Sequence, residues 1–239
     1  VDIKEQILEL IKDANPDNPL QFAHSIVKDY SIDKLNEHII SCNDCGICGE
    51  GKSITKGNSN ASILIVGESL SEEQKDNEIS FPLEDASGEI LNKVLDSFSI
   101  NHDEVFYINS VSCWPHKVVG NEIVSRTPSK KEVDSCKVFV DYAIKVVQPR
   151  VIILLGSIAL NLYKKESITK ARGEWIDVFG IPSMPTYHPG YFIQIEGKKD
   201  PEIVEMLKWD FYDDLKKAFA YVDKEYPDNN VFLNEIESD

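Results

Sequence analysis

Four short, mostly apolar runs punctuate the chain, and each closes on a polar residue or a glycine: Ser62–Glu68, Val105–Asn109, Val151–Ser157 and Ile181–Pro189. Runs of this kind predict strands buried on both faces of a parallel sheet. Helical spacing separates them. Ile90, Leu91, Val94, Leu95 and Phe98 mark one face of a helix over 87–98. Ser129 with Glu132 three residues later starts another that runs to about Val147. A short helix is expected over 157–164 and a long amphipathic one over 201–222. Residues 2–13 and 20–40 also have helical spacing. The stretches 49–61, Ser69–Ser80 and Ser110–Thr127 are read as loop or irregular chain, Trp175–Phe179 as a small extra strand, and the chain after Pro189 as loop. The alternation predicts an α/β fold, a three-layer α/β/α sandwich with a central four-stranded parallel sheet and right-handed crossovers. Ligands of such sheets bind beyond the carboxyl ends of the strands, so Glu68, Asn109, Ser157 and His188 should face one crevice.

Composition refines this picture. At 239 residues with 42% hydrophobic content, the chain suits one domain with additions: an N-terminal helical segment (1–41), a main domain (42–222) and an acidic tail (223–239). No apolar stretch approaches a membrane span and no signal peptide is evident, so a soluble, cytoplasmic protein is expected. The net charge of −16 argues against a protein coated in nucleic acid but leaves room for a local basic groove.

The five cysteines are Cys42, Cys45, Cys48, Cys113 and Cys136. An odd number without a secretory signal disfavours a disulfide framework. Three of them form C-x-x-C-x-x-C, and the other two fall at the ends of predicted elements. Four thiolates could hold zinc or an iron–sulfur cluster, and thiolate chemistry alone does not choose between them.

From Cys42 to about Leu215 a series of fragments, in order, resembles the family-4 uracil-DNA glycosylases of the uracil-DNA glycosylase superfamily. Cys42-Asn-Asp-Cys45-Gly-Ile-Cys48 resembles C-x-x-C-P-L-C. Gly57 to Glu68 resembles G-N-x-x-A-x-hydrophobic-V-G-E, and Tyr107 to Pro115 resembles Y-I-T-N-V-V-K-C-R-P. Thr127–Cys136, Pro149–Gly156, Arg172-Gly173-Glu-Trp175 and Pro185-Thr-Tyr-His188-Pro189-Gly-Tyr191 complete the series. The resemblance implies a 4Fe–4S cluster held by Cys42, Cys45, Cys113 and Cys136, with Cys48 spare. It also implies a DNA glycosylase of base excision repair that hydrolyses the bond to a flipped-out uracil, working as a monomer on single- or double-stranded DNA, with a replication or repair protein as a further possible partner.

Each matched residue has a chemical role that fits. The Asn109 amide can pair with N3–H and O4 of uracil. A neutral His188 N–H aimed at O2 would stabilise the leaving anion. Glu68 could orient water or oppose positive charge on the sugar. Phe81 matches the residue that stacks on the base, and Ser69 could contact it through its backbone. Phe192 matches an apolar wedge position. Arg172 and Lys170 are candidates to grip flanking phosphates.

The chain also departs from the family pattern. G-E-A-P-G is replaced by Gly67-Glu68-Ser69-Leu70-Ser71, extra residues follow Phe81, Trp114 stands for an Arg, and Gly190 stands for the Ser of H-P-S. Alternatives are therefore a glycosylase of the same superfamily for another or modified base, or a catalytically silent DNA-binding or scaffold module.

Overall fold

The computed structural model describes residues 31–47, 51–72, 78–80 and 83–222. The expected helix over 2–13, the acidic tail, Cys48 and Phe81 lie outside the described residues. Of the expected helix over 20–40, the described part is α1, Ile32–Ser41, whose N-cap Ser31 accepts from the Lys34 N–H.

The remaining elements follow in order. β1 is Lys52–Ile54, β2 Lys56–Gly57, β3 Ile63–Gly67 and β4 Glu78–Ser80. α2 is Ala86–Ser97, β5 Val105–Asn109, β6 His116–Val119 and β7 Glu122–Ser125. α3 is Lys130–Val147, β8 Val151–Leu155, α4 Gly156–Asn161 and α5 Ile168–Ala171. β9 is Ile176–Val178, β10 Ile181–Thr186, α6 Pro189–Ile195 and α7 Pro201–Ala220. The main sheet has the order β2-β5-β3-β8-β10-β9. Its centre, β5-β3-β8-β10, is parallel, as the four apolar runs predict. Antiparallel edge strands β2 and β9 widen it to six. The two-residue β2 is too short to carry a periodic signal. It pairs closely because Gly57 has no side chain: a Cβ there would lie 2.1 Å from the Val105 carbonyl oxygen.

Strand residues alternate between two cores. Ile63, Ile65, Val105, Tyr107, Val151 and Ile153 pack with α2, α6 and α7. Leu64, Val66, Phe106, Ile108, Ile152 and Leu154 pack with α1, α3 and α4. The three layers follow from that division. α3 starts as the sequence predicts, with a reciprocal capping box between Ser129 and Glu132.

Several segments differ from the sequence reading: β1, β2 and β4 lie in stretches read as loop, 49–61 and 69–80, and two others change more. Part of Ser110–Thr127 is an antiparallel hairpin, β6–β7, closed by Gly120-Asn121, with Gly120 at φ +64°. A Gly-Asn pair between short apolar runs is a hairpin signal. The chain after His188 is helical: His188 caps α6 and Pro189 occupies its first turn.

Candidate active site

β3 and β10 both end on a cavity of about 380 Å³. The strand order reverses about β3, which has β5 on one side and β8 on the other, so the cavity lies where an open α/β sheet accepts ligands. Glu68, Ser69, Leu70 and Ser71 wall it after β3, and His188, Gly190 and Gln194 wall it after β10. Asp85 and Ser87 come from the start of α2, and Ser125, Arg126 and Thr127 from the end of β7.

His188 is the most tightly specified of these. Its Nδ1 accepts the Gly190 N–H at 3.1 Å, so a neutral ring carries its proton on Nε2. Burial pushes its pKa down to about 4, against an upward pull from Asp85. At neutral pH the ring is therefore an uncharged donor. Two glycines hold it in place. A Cβ on Gly156, which sits at φ +82° between β8 and α4, would lie 3.0 Å from the His188 Cβ. A Cβ on Gly190 would lie 2.9 Å from Ser87 Oγ and 3.2 Å from His188 Nδ1. Position 190 is thus sterically coupled to Ser87 at the start of α2.

Glu68 is half-buried and, by desolvation, its carboxyl titrates above the ordinary range. Glu68, Ser69 and His188 share the cavity, as the sequence suggests. Asn109 is 4% exposed at the end of β5, opposite Gly67, and lies off the cavity wall. Its Nδ2 donates to Ser53 Oγ at 3.2 Å, which fixes the amide plane. From β5 to β10 is three strand spacings, roughly 14 Å between backbones. Ser157 is exposed and also lies off the cavity wall.

Two residues expected to contact DNA are turned inward in the structure. Phe192 is 1% exposed and packs edge-on against Phe211 at 5.5 Å and against Tyr187 at 6.2 Å. Its ring is buried in the α6–α7 core. Arg172 is turned inward: Nε donates to Asp214 Oδ2 at 2.8 Å, Nη2 donates to Asp214 Oδ1 and to the Asp210 carbonyl, and Nη1 pairs with Asp210 Oδ1 at 3.2 Å. Its positive charge is spent on a fully buried carboxylate. Lys170, on α5, is exposed.

Arg126, which lines the cavity, is a structural hub. It forms a bidentate pair with Glu132, at 2.8 and 2.6 Å, and donates through Nε to the His116 carbonyl. The pair holds the Glu132 carboxyl down at about 2. Asp85, Ser87 and Gln194 escaped sequence reasoning altogether, because their place in the wall comes from helix packing.

The four described cysteines lie on elements that pack on one another. Cys42 ends α1, Cys136 is buried in α3, and α1 packs on both α3 and β1. Lys52 of β1 bridges to Cys113, and Cys113 packs against Cys45. Among the described residues no three metal-binding side chains converge on one point. The donor set, four soft thiols on mutually packed elements, nevertheless fits a thiophilic metal centre.

Known proteins resemble this chain over most of its length. A Type-4 uracil-DNA glycosylase of Thermotoga maritima is 29% identical over 197 residues, covering 80% of this chain and 94% of that protein. One from Sulfurisphaera tokodaii is 28% identical, over 76% of this chain and 82% of that protein. One from Archaeoglobus fulgidus is 26% identical, over 66% and 81%. Residues 54–216, which include β3, β5, β8, β10 and the cavity beyond them, match the model of the uracil DNA glycosylase superfamily, and the chain belongs to that superfamily.

Proposed function

We propose that the protein is a DNA glycosylase of base excision repair that releases uracil flipped out of DNA. The observation that carries this reading is the state of His188: a neutral ring, its Nδ1 occupied by a backbone N–H, beside Glu68 in a cavity of base-holding size. Hydrolysis breaks the bond from C1′ to the base nitrogen. The base leaves with the electron pair, and water adds to the sugar carbon and loses a proton. The His188 Nε2–H faces the oxygen that gains charge, and the Glu68 carboxylate, deprotonated, orients water and opposes charge on the sugar. Asn109 reads the base. One Nδ2 hydrogen is held by Ser53, leaving the other for O4 and Oδ1 for N3–H. Phe81 stacks on the base, Ser69 lines its edge, and the exposed Lys170 grips a flanking phosphate.

Cys42, Cys45, Cys113 and Cys136 would hold a 4Fe–4S cluster, which when bound would tie together the end of α1 with the loop after it, the chain after β5, and α3. The protein acts on DNA as a monomer inside the cell.

The test is base release from a single-stranded oligonucleotide carrying one deoxyuridine, read by alkali cleavage at the abasic site. His188→Ala should slow release by about 10²–10³-fold, as loss of an oxyanion donor does elsewhere. Full activity of that variant would remove His188 from the mechanism, and no release by the iron-loaded wild type would remove uracil as substrate.

A further inference from the structure

Extruding a nucleotide leaves a gap in the base stack, which DNA-bending and base-flipping proteins fill with an apolar side chain. The residue that sequence suggests for this, Phe192, is locked in the core. We propose that the β6–β7 hairpin is the wedge, and that its apolar tip enters duplex DNA beside the nucleotide held in the cavity. The proposal rests on the reading that this cavity takes a flipped base.

The hairpin carries the apolar surface that such a task needs. Val118 is 70% exposed, Val119 53% and Ile123 41%. Val118 and Ile123 are direct cross-strand partners, so they form one patch on one face. The hairpin is also continuous with the mouth of the site. Ser125 ends β7 and lines the cavity, and Arg126 and Thr127 follow it there. The ladder runs from His116–Ser125 at the cavity to Val119–Glu122 at the tip. Those three steps reach about 10 Å beyond the wall, comparable with groove depths of roughly 7.5–8.5 Å.

A wedge must also resist being pushed back, and the root of the hairpin is braced. Trp114 Nε1 donates to Ser125 Oγ at 2.8 Å, and the Trp114 ring stacks on His116 at 4.8 Å. Arg126 donates from Nε to the His116 carbonyl at 2.8 Å and from its backbone N–H to the Pro115 carbonyl at 3.0 Å. Exposed Lys117 lies between root and tip, where a phosphate of the invaded strand would pass, and Glu122 lies across the ladder from Val119.

The test compares the full-length, iron-loaded wild type with Val118→Ser/Val119→Ser and with Val118→Thr/Val119→Thr, which keeps the β-branched shape. Uracil release is measured on single-stranded and duplex oligonucleotides. Binding is measured by fluorescence anisotropy, to a duplex with a tetrahydrofuran abasic site and to the single strand. Losing the burial of even one valine should weaken duplex kcat/KM and abasic-duplex affinity by about tenfold or more for the Ser variant, less for the Thr variant, with single-strand values changed by less than about twofold. Equal losses on both substrates, or none on the duplex, would overturn the wedge. So would a wild type that sediments as a dimer and becomes monomeric in the Ser variant with duplex binding unchanged, since a second copy would then cover the tip. A wild type that releases no uracil would count against the proposed substrate, while the binding arm would still decide the role of the hairpin.

Discussion

Replacing Arg172 separates a structural from a DNA-binding role. In the fold its guanidinium is the partner of Asp214, which is 0% exposed and also accepts from Thr186 Oγ1 at 2.8 Å. Burial pushes the Asp214 carboxyl up, and Arg172 and Thr186 pull it only part of the way back. Arg172→Ala leaves that carboxylate buried with one hydroxyl donor. Breaking a buried pair from one side costs about 3–5 kcal/mol. For a fold of this size, at about 2–4 °C per kcal/mol, Tm should fall by roughly 6–20 °C. The pH dependence has a definite sign. A carboxyl raised in the folded state favours folding below its unfolded pKa and loses that contribution as pH rises through the folded value. The deficit of Arg172→Ala should therefore shrink as pH falls below the Asp214 pKa. Arg172→Met with Asp214→Leu should recover part of the loss, because both charges are then gone. The assays are thermal unfolding across pH and anisotropy binding to single-stranded DNA. A variant with wild-type Tm and several-fold weaker DNA binding would show that Arg172 grips phosphate and that the inward network is incidental.

Four further outcomes are expected. Since the His188 pKa lies at about 4 against an ordinary 6.5, the folded state binds fewer protons in that window; stability should fall by about 3 kcal/mol as pH drops from 6.5 to 4, and His188→Gln should flatten that part of the denaturation profile. Asn109→Ala should abolish discrimination of uracil from cytosine, while Ser53→Ala, which frees the amide without removing it, should raise KM more than it lowers kcat. Gly190→Ser should lose activity because its Cβ meets Ser87 and the His188 ring, and Ser87→Gly in the same chain should restore it; failure of that rescue would break the coupling of the two positions. Cys113→Ala or Cys136→Ala should lose bound iron and visible absorbance, and a wild type purified anaerobically without iron would end the cluster assignment.

How much of this was written in the sequence depends on the range of the forces involved. The parallel strands and the long helices were legible because burial on two faces, capping and amphipathic spacing are local patterns. Ser129 with Glu132 is a capping box in both readings. Of the edge strands, β9 falls within the small strand read over Trp175–Phe179, whereas the two-residue β2 is too short to leave a pattern and is defined by its neighbour. The hairpin and α6 left short signals, Gly120-Asn121 and Pro189, that a stricter reading of turn chemistry would have caught. At the site, Glu68, Ser69 and His188 follow from strand ends and converge on one cavity. Phe192 and Arg172 turn inward, which the sequence did not foretell, because a motif gives a position along the chain but not a direction. Whether an aromatic ring or a guanidinium points to solvent is set by α7, which supplies Phe211, Asp210 and Asp214 from far along the sequence.

Consecutive residues of β1 face two different tasks. The Lys52 ammonium donates to the Ile40 and Cys42 carbonyls at the end of α1, and its backbone bridges to Cys113. Ser53, the next residue, holds the Asn109 amide. Cys113 and the Asn109 amide are thus hung from one short splint, whereas His188 is anchored by β8, β10 and α6 at the other side of the sheet. If Asn109 reads the base as proposed, oxidative injury to the thiols should surface first as a lapse in choosing the base, with bond cleavage still intact.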